Sequence, residues 1–149
     1  MDKCRICEKH ENNIDVVYNN DLISISHYIR EPEGDNNYLG YYMIESIRHF
    51  TGMENISDAE MEMIGRAWKY LSKAMKKVLD VEKVYSFVIG EGVDHFHVHV
   101  VGRYINAPRD YWGPSVDEWP NAPRGDIDKI REINREIRKE LFDEKDIRP

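Results

Sequence analysis

The chain is poor in cysteine and in net positive charge, and it has no long apolar run. Cys4 and Cys7 are its only cysteines, which excludes a scaffold stapled by several disulfides. No apolar stretch approaches the roughly 20 residues that a membrane-spanning helix needs, so no membrane partner is expected. Lys and Arg number 21 against 28 Asp and Glu, a formal net charge of −7. That balance argues against general nucleic-acid binding, which rests on clustered cations. It leaves room for a nucleotide or a phosphorylated small molecule in a locally positive site. The opening Met1-Asp2-Lys3-Cys4-Arg5-Ile6-Cys7 carries charges where a signal peptide needs an uninterrupted apolar segment, and the expected location is cytoplasmic. At 149 residues the length suits one domain, 1–149, with a single real core.

What is present is a sequence of short alternating segments and two amphipathic ones. Ile14 to Tyr18 and Leu22 to Ser26 read as strands joined by the turn residues Asn19-Asn20-Asp21. Glu31 to Asn37 is a loop by composition, and Tyr38 to Ile44 reads as a third strand. Ser57-Asp58-Ala59-Glu60 is a capping box. After it, Met61, Ile64, Trp68, Leu71, Met75 and Val78 recur at helical spacing as one core-filling face. Val84 to Ile89 is a fourth strand, Gly90-Glu91-Gly92 a turn, and Val93 to Val101 a fifth strand. Residues 104–125 hold Pro108, Pro114, Pro120 and Pro123 beside Trp112 and Trp119. An ordered aromatic loop over the domain is expected there, with lining of a ligand pocket as the alternative. Ile127, Ile130, Ile133, Ile137 and Leu141 give a C-terminal helix within 126–142. The expected fold class is α+β: an antiparallel sheet of about five strands with one main helix and an additional C-terminal helix.

The fifth strand carries the chemistry. His95, His97 and His99 alternate with Phe96, Val98 and Val100, and residues i, i+2 and i+4 of a strand share a face at roughly 6.7 Å intervals. Three readings compete: a half-exposed polar face, a metal site built from neutral imidazoles, and covalent catalysis by one ring nitrogen. Cys4-x-x-Cys7 is half a zinc site or a redox dithiol. The redox reading wants a βαβ setting that the segment pattern does not offer.

His95-Phe96-His97-Val98-His99-Val100-Val101 resembles the signature of the histidine triad superfamily of nucleotide hydrolases and transferases. Gly40 to His49 resembles that family's strand ending in a histidine before the main helix. Cys4-x-x-Cys7 resembles its N-terminal C-x-x-C, and the resemblance covers 4–103. It implies a nucleotide phosphohydrolase or nucleotidyltransferase in which His97 attacks the α-phosphorus and forms a nucleotidyl-histidine, with His99 as a donor to the phosphate or leaving group. It also implies a structural zinc held by Cys4, Cys7, His49 and His95, and a homodimer. Backbone N–H groups of Gly90 and Gly92 could cradle the phosphate, and Ser26 or His27 stands near the position that holds the ribose. Glu91 lies where many members have phosphate donors. The alternative is therefore a catalytically weak, zinc-stabilised nucleotide-binding or interaction protein.

Overall fold

The computed structural model describes residues 3–12, 15–30 and 34–142. Ile14 of the first expected strand and Glu31, Pro32 and Glu33 of the expected loop lie outside the described residues. Val16–Asn19 (β1) and Ile23–His27 (β2) form the expected antiparallel hairpin. Its turn is closed by Asn20, whose Oδ1 accepts from the N–H groups of Leu22 and Ile23 at 2.8 and 2.9 Å, the local bonding that makes Asn a turn residue.

The expected third strand is divided. Asn37–Tyr38 (β3) and Tyr41–Ser46 (β4) are separated by a turn at Leu39 and Gly40. Gly40 has φ +91, and a Cβ there would come within 2.9 Å of Leu79 Cδ1, so glycine meets both the left-handed backbone and the close approach. Released from the main sheet, β3 pairs with Arg124–Gly125 (β7).

The fourth strand runs Val81–Phe87 (β5), earlier than expected, and the fifth runs His97–Tyr104 (β6). His95 therefore precedes the ladder. Phe96 N–H donates to the Phe50 carbonyl at 2.7 Å, which draws this segment toward the chain that follows β4. The five-stranded sheet is antiparallel in the order β1-β2-β4-β6-β5.

One face of the sheet is covered by Asp58–Val78 (α2) and Ile127–Phe142 (α3). The capping box of α2 is complete: Ser57 Oγ accepts from Glu60 N–H and Glu60 Oε1 accepts from Ser57 N–H, both at 3.1 Å. Its buried face differs from the sequence pattern. Met61 and Trp68 are exposed, and Ala67, Tyr70 and Ala74 join Ile64, Leu71 and Met75 inside. The helix packs against α3 as well as the sheet, and the alanines permit that closeness. Ile130, Ile133, Ile137 and Leu141 of α3 are buried as their spacing predicts. Between β6 and α3, short 3-10 turns at Arg109–Tyr111 and Val116–Glu118 seat Val116 and Trp119 in the core. Among the described residues, no helix is long and apolar enough to cross a membrane.

Arg5–Asn12 (α1), a helix absent from the sequence reading, lies on the opposite face of the sheet. On the helix-packed face, His27 is buried against Tyr42. Its Nδ1–H donates to the Tyr28 carbonyl at 2.7 Å, and its Nε2 accepts from the N–H groups of Gly40 and Tyr41 at 3.0 and 3.3 Å. Those bonds require a neutral ring, and burial pushes its pKa down to about 4 against the opposing pull of the Tyr28 carbonyl. The unfolded chain takes up this proton near pH 6.5, whereas the folded chain resists until about pH 4. Stability should therefore fall as pH drops through that window, by about 3 kcal/mol from this group, and level off below it. In urea titrations at pH 7 and pH 4.5, His27→Gln should lose distinctly less stability over that interval than the wild type; equal losses would contradict the assignment.

Candidate active site and metal centre

Pairing of β4 with β6 sets Glu45 opposite His97, Met43 opposite His99 and Tyr41 opposite Val101. These side chains share the sheet face away from α2 and α3. The His97 Nδ1 lies 2.6 Å from the His95 carbonyl. A carbonyl only accepts, so the proton is on Nδ1 and the Nε2 lone pair is left free. The His99 ring stacks on Phe87 at 4.8 Å and meets His97 edge-on at 4.7 Å between centroids. Its Nδ1 lies 2.8 Å from the Tyr41 hydroxyl. Burial first, and then the neighbouring His97, push His99 down to about 4, so it is neutral at pH 7. Burial likewise keeps the Tyr41 hydroxyl protonated.

The metal candidates come together at the start of this strand. Cys4 and Cys7, three residues apart at the head of α1, project to one side. Cys4 Sγ and Cys7 Sγ lie 3.4 and 3.5 Å from His95 Nδ1, Cys7 Sγ lies 3.5 Å from His49 Nδ1, and the two histidine Nδ1 atoms are 3.1 Å apart. All four donor atoms fall within 4.8 Å of one another. Tetrahedral bonds of about 2.3 Å to sulfur and 2.0–2.1 Å to nitrogen imply edges of roughly 3.3–3.8 Å, so the cluster could hold a metal ion with little rearrangement. The Nε2–H of His95 donates to the Ser46 carbonyl at 2.7 Å, which turns the Nδ1 lone pair toward the cluster.

Between the cluster and His97 lies a buried ionic network that the sequence reading missed. Glu45 is fully buried. Its Oε1 accepts from Lys9 and, at 3.2 Å, from Ser26 Oγ, and its Oε2 lies 3.0 Å from His10 Nε2. Burial alone would raise the Glu45 pKa; the His10 hydrogen bond and the Lys9 charge outweigh it and hold the carboxyl below its usual value. A charge inside the otherwise apolar run Tyr41-Tyr42-Met43-Ile44-Glu45 was the available signal, since a buried carboxylate must be paired.

The structure places Ser26 and His27 on opposite faces of β2. Ser26 is in the Glu45 network and His27 is on the helix-packed side. Gly90, at φ +74, and Gly92 lie in the loop before His95, with open space where a Cβ would stand.

No protein-family model matches the sequence, and no curated protein matches it significantly. Solved structures do match the fold. A zinc-bound histidine triad protein from Mycobacterium smegmatis aligns at 17% identity and TM-score 0.68, covering 95% of this chain and 94% of that one. A HIT-like protein involved in cell-cycle regulation from Bartonella henselae aligns at 15% identity and TM-score 0.67, over 93% and 97%. A diadenosine triphosphate hydrolase from Plasmodium falciparum aligns at 12% identity and TM-score 0.62, over 87% and 78%.

Elemental analysis of the purified protein should find one divalent metal ion per chain, and Cys7→Ser should lose most of it and melt at a lower temperature. A full equivalent retained by a Cys7→Ser/His95→Asn double variant would contradict the four-ligand assignment.

Proposed function

We propose that this chain, which has the histidine triad fold, is a nucleotide phosphohydrolase or nucleotidyltransferase that works through a nucleotidyl-histidine on His97. The observation that carries the reading is the His97 tautomer: the bond from Nδ1–H to the His95 carbonyl leaves the Nε2 lone pair free, on a buried ring at the sheet face away from α2 and α3. In the first step Nε2 bonds to the α-phosphorus as the bond from phosphorus to the leaving group breaks. The departing atom takes the bonding pair and then a proton from solvent. Water next attacks phosphorus, the N–P bond breaks, and nucleotide and free His97 are restored with release of one proton. Another acceptor in place of water makes the enzyme a transferase. Splitting one displacement into two in this way is the gain of covalent catalysis.

His99 is the donor beside the reacting phosphate. With Tyr41 donating to Nδ1, the ring proton sits on Nε2 and can hydrogen-bond to a phosphoryl or departing oxygen. The backbone N–H groups around Gly90 and Gly92 would meet the phosphate; Ser26 shares the sheet face of His97 but is buried and bonded within the Glu45 network. Zinc is the metal that suits Cys4, Cys7, His49 and His95; closed by four protein ligands, it would hold structure and leave no open position for activating water.

The protein acts as one domain in the cytoplasm, where Cys4 and Cys7 stay reduced. It works as a homodimer, supported by the open edge of β5 and by Met61 and Trp68 exposed on α2. Light scattering at micromolar concentration should return twice the chain mass; the monomer mass alone would count against pairing.

Turnover of adenosine phosphoramidate tests the reaction. His97→Ala should lose kcat/KM by roughly ten-thousand-fold or more while keeping the wild-type melting temperature within a few degrees. Full activity in that variant would remove His97 as the nucleophile. Tight nucleotide binding without turnover by the wild type would identify a binding protein in its place.

A further inference from the structure

Two of the four clustered donors can be oxidised reversibly, and both are within reach of solvent. Cys4 and Cys7 are free and partly exposed. They are also the only cysteines in the chain, so no other thiol competes for an oxidant or for a disulfide partner. They stand three residues apart where α1 begins, a spacing that brings Cβ atoms to roughly 5–6 Å on a helical turn. A disulfide needs Cβ atoms about 3.5–4.5 Å apart, a small local adjustment. The two Sγ atoms already lie within 4.8 Å of each other.

We propose that Cys4 and Cys7 form a thiol–disulfide switch: a peroxide or another two-electron oxidant joins them, dismantles the four-ligand site and lowers turnover at His97, and reduction restores both. The proposal rests on the reading of the cluster as a metal site and of His97 as the nucleophile.

The reduced and oxidised states exclude each other. Sulfur atoms that share a tetrahedral ion stand on an edge of roughly 3.8 Å, whereas an S–S bond is about 2.05 Å long. A metal-bound Cys is already a thiolate, the form that oxidants attack. One thiolate takes an oxygen from the peroxide as a sulfenic acid, and the remaining oxygen leaves as water with a proton from solvent. The second thiolate attacks that sulfur, the S–S bond forms, and hydroxide departs and takes a second proton. Two electrons have passed from sulfur to oxygen, and His49 and His95 alone remain as ligands.

The connection to His97 runs through His95. Its Nδ1 lies 3.4 and 3.5 Å from the two sulfurs, and its carbonyl lies 2.6 Å from His97 Nδ1. His95 precedes β6, and its ring is held on the other side by the Ser46 carbonyl. Dismantling the cluster removes one of these two holds and loosens the carbonyl that fixes the His97 proton. Lys9 and His10 still bind Glu45, so the change is local and the rest of the fold stays closed.

The test treats the metal-loaded protein with diamide, which takes the same two electrons and two protons without adding oxygen. The account expects loss of two hydrogen masses, release of the metal ion to a chromogenic chelator, and faster amide exchange at residues 4–12 and 95–97. It expects kcat/KM for adenosine phosphoramidate to fall about tenfold or more, with every change reversed by dithiothreitol. In Cys4→Ser/Cys7→Ser, diamide should change nothing; an equal drop there would overturn the proposal. So would an oxidised chain that keeps its metal ion, or one that loses it with kcat/KM and exchange at 95–97 unaltered. If the untreated protein turns over no substrate, the catalytic reading fails by itself, and the proposal then stands or falls on metal release and on exchange at 95–97.

Discussion

The pairing of β4 with β6 is the constraint on which the other features depend. Its register sets Glu45 against His97, Met43 against His99 and Tyr41 against Val101. A slip of β6 by one residue would send its side chains to the opposite face of the sheet, turning His97 and His99 under α2 and α3 and Val98 and Val100 away from the core. With the register fixed, one strand pair arranges three chemistries along its length. The Cys4, Cys7, His49 and His95 cluster stands at one end, the His97 and His99 pair in the middle, and Tyr41 with its bond to His99 at the other.

The N-terminal helix is tied to that ladder twice. Cys4 just precedes it and Cys7 lies in its first turn, and its second turn carries Lys9 and His10, which close on Glu45 beneath it. Removing one partner from a buried charge pair costs on the order of 3–5 kcal/mol, so the Glu45 network and the Cys4, Cys7, His49 and His95 cluster both tie α1 to the sheet. Because Glu45 faces His97 across the ladder, the anchoring of this helix and the setting of His97 share one residue. His95 makes a similar connection: its Nδ1 belongs to the cluster of candidate metal ligands, while its carbonyl fixes the proton on His97.

Local signals were the legible ones. The Ser57 and Glu60 capping box, the Asn20 turn and the isoleucine spacing of α3 each depend on residues a few positions apart, and each stands where the pattern put it. The four metal candidates are scattered along the chain, and only likeness to a known motif gathered them. What escaped were features decided by distant partners. The eight residues of α1 are too few to be helical alone and gain their stability from Glu45 and the core. The break at Gly40 follows from β3 leaving to pair with β7, more than 80 positions away. Met61 and Trp68 matched the helical period, yet the arc facing α3 and the sheet is centred on Ala67, Leu71 and Ala74.

The central claim is that His97, with its Nδ1–H held by the His95 carbonyl, attacks phosphorus through Nε2. Intact-protein mass spectrometry of samples quenched at short times after mixing with adenosine phosphoramidate tests it most directly. The account expects an adenylyl adduct that rises and decays with turnover, maps to His97 and is missing from His97→Ala. Product formed at full rate with no adduct at any time would mean that water attacks directly, and the covalent account would be wrong.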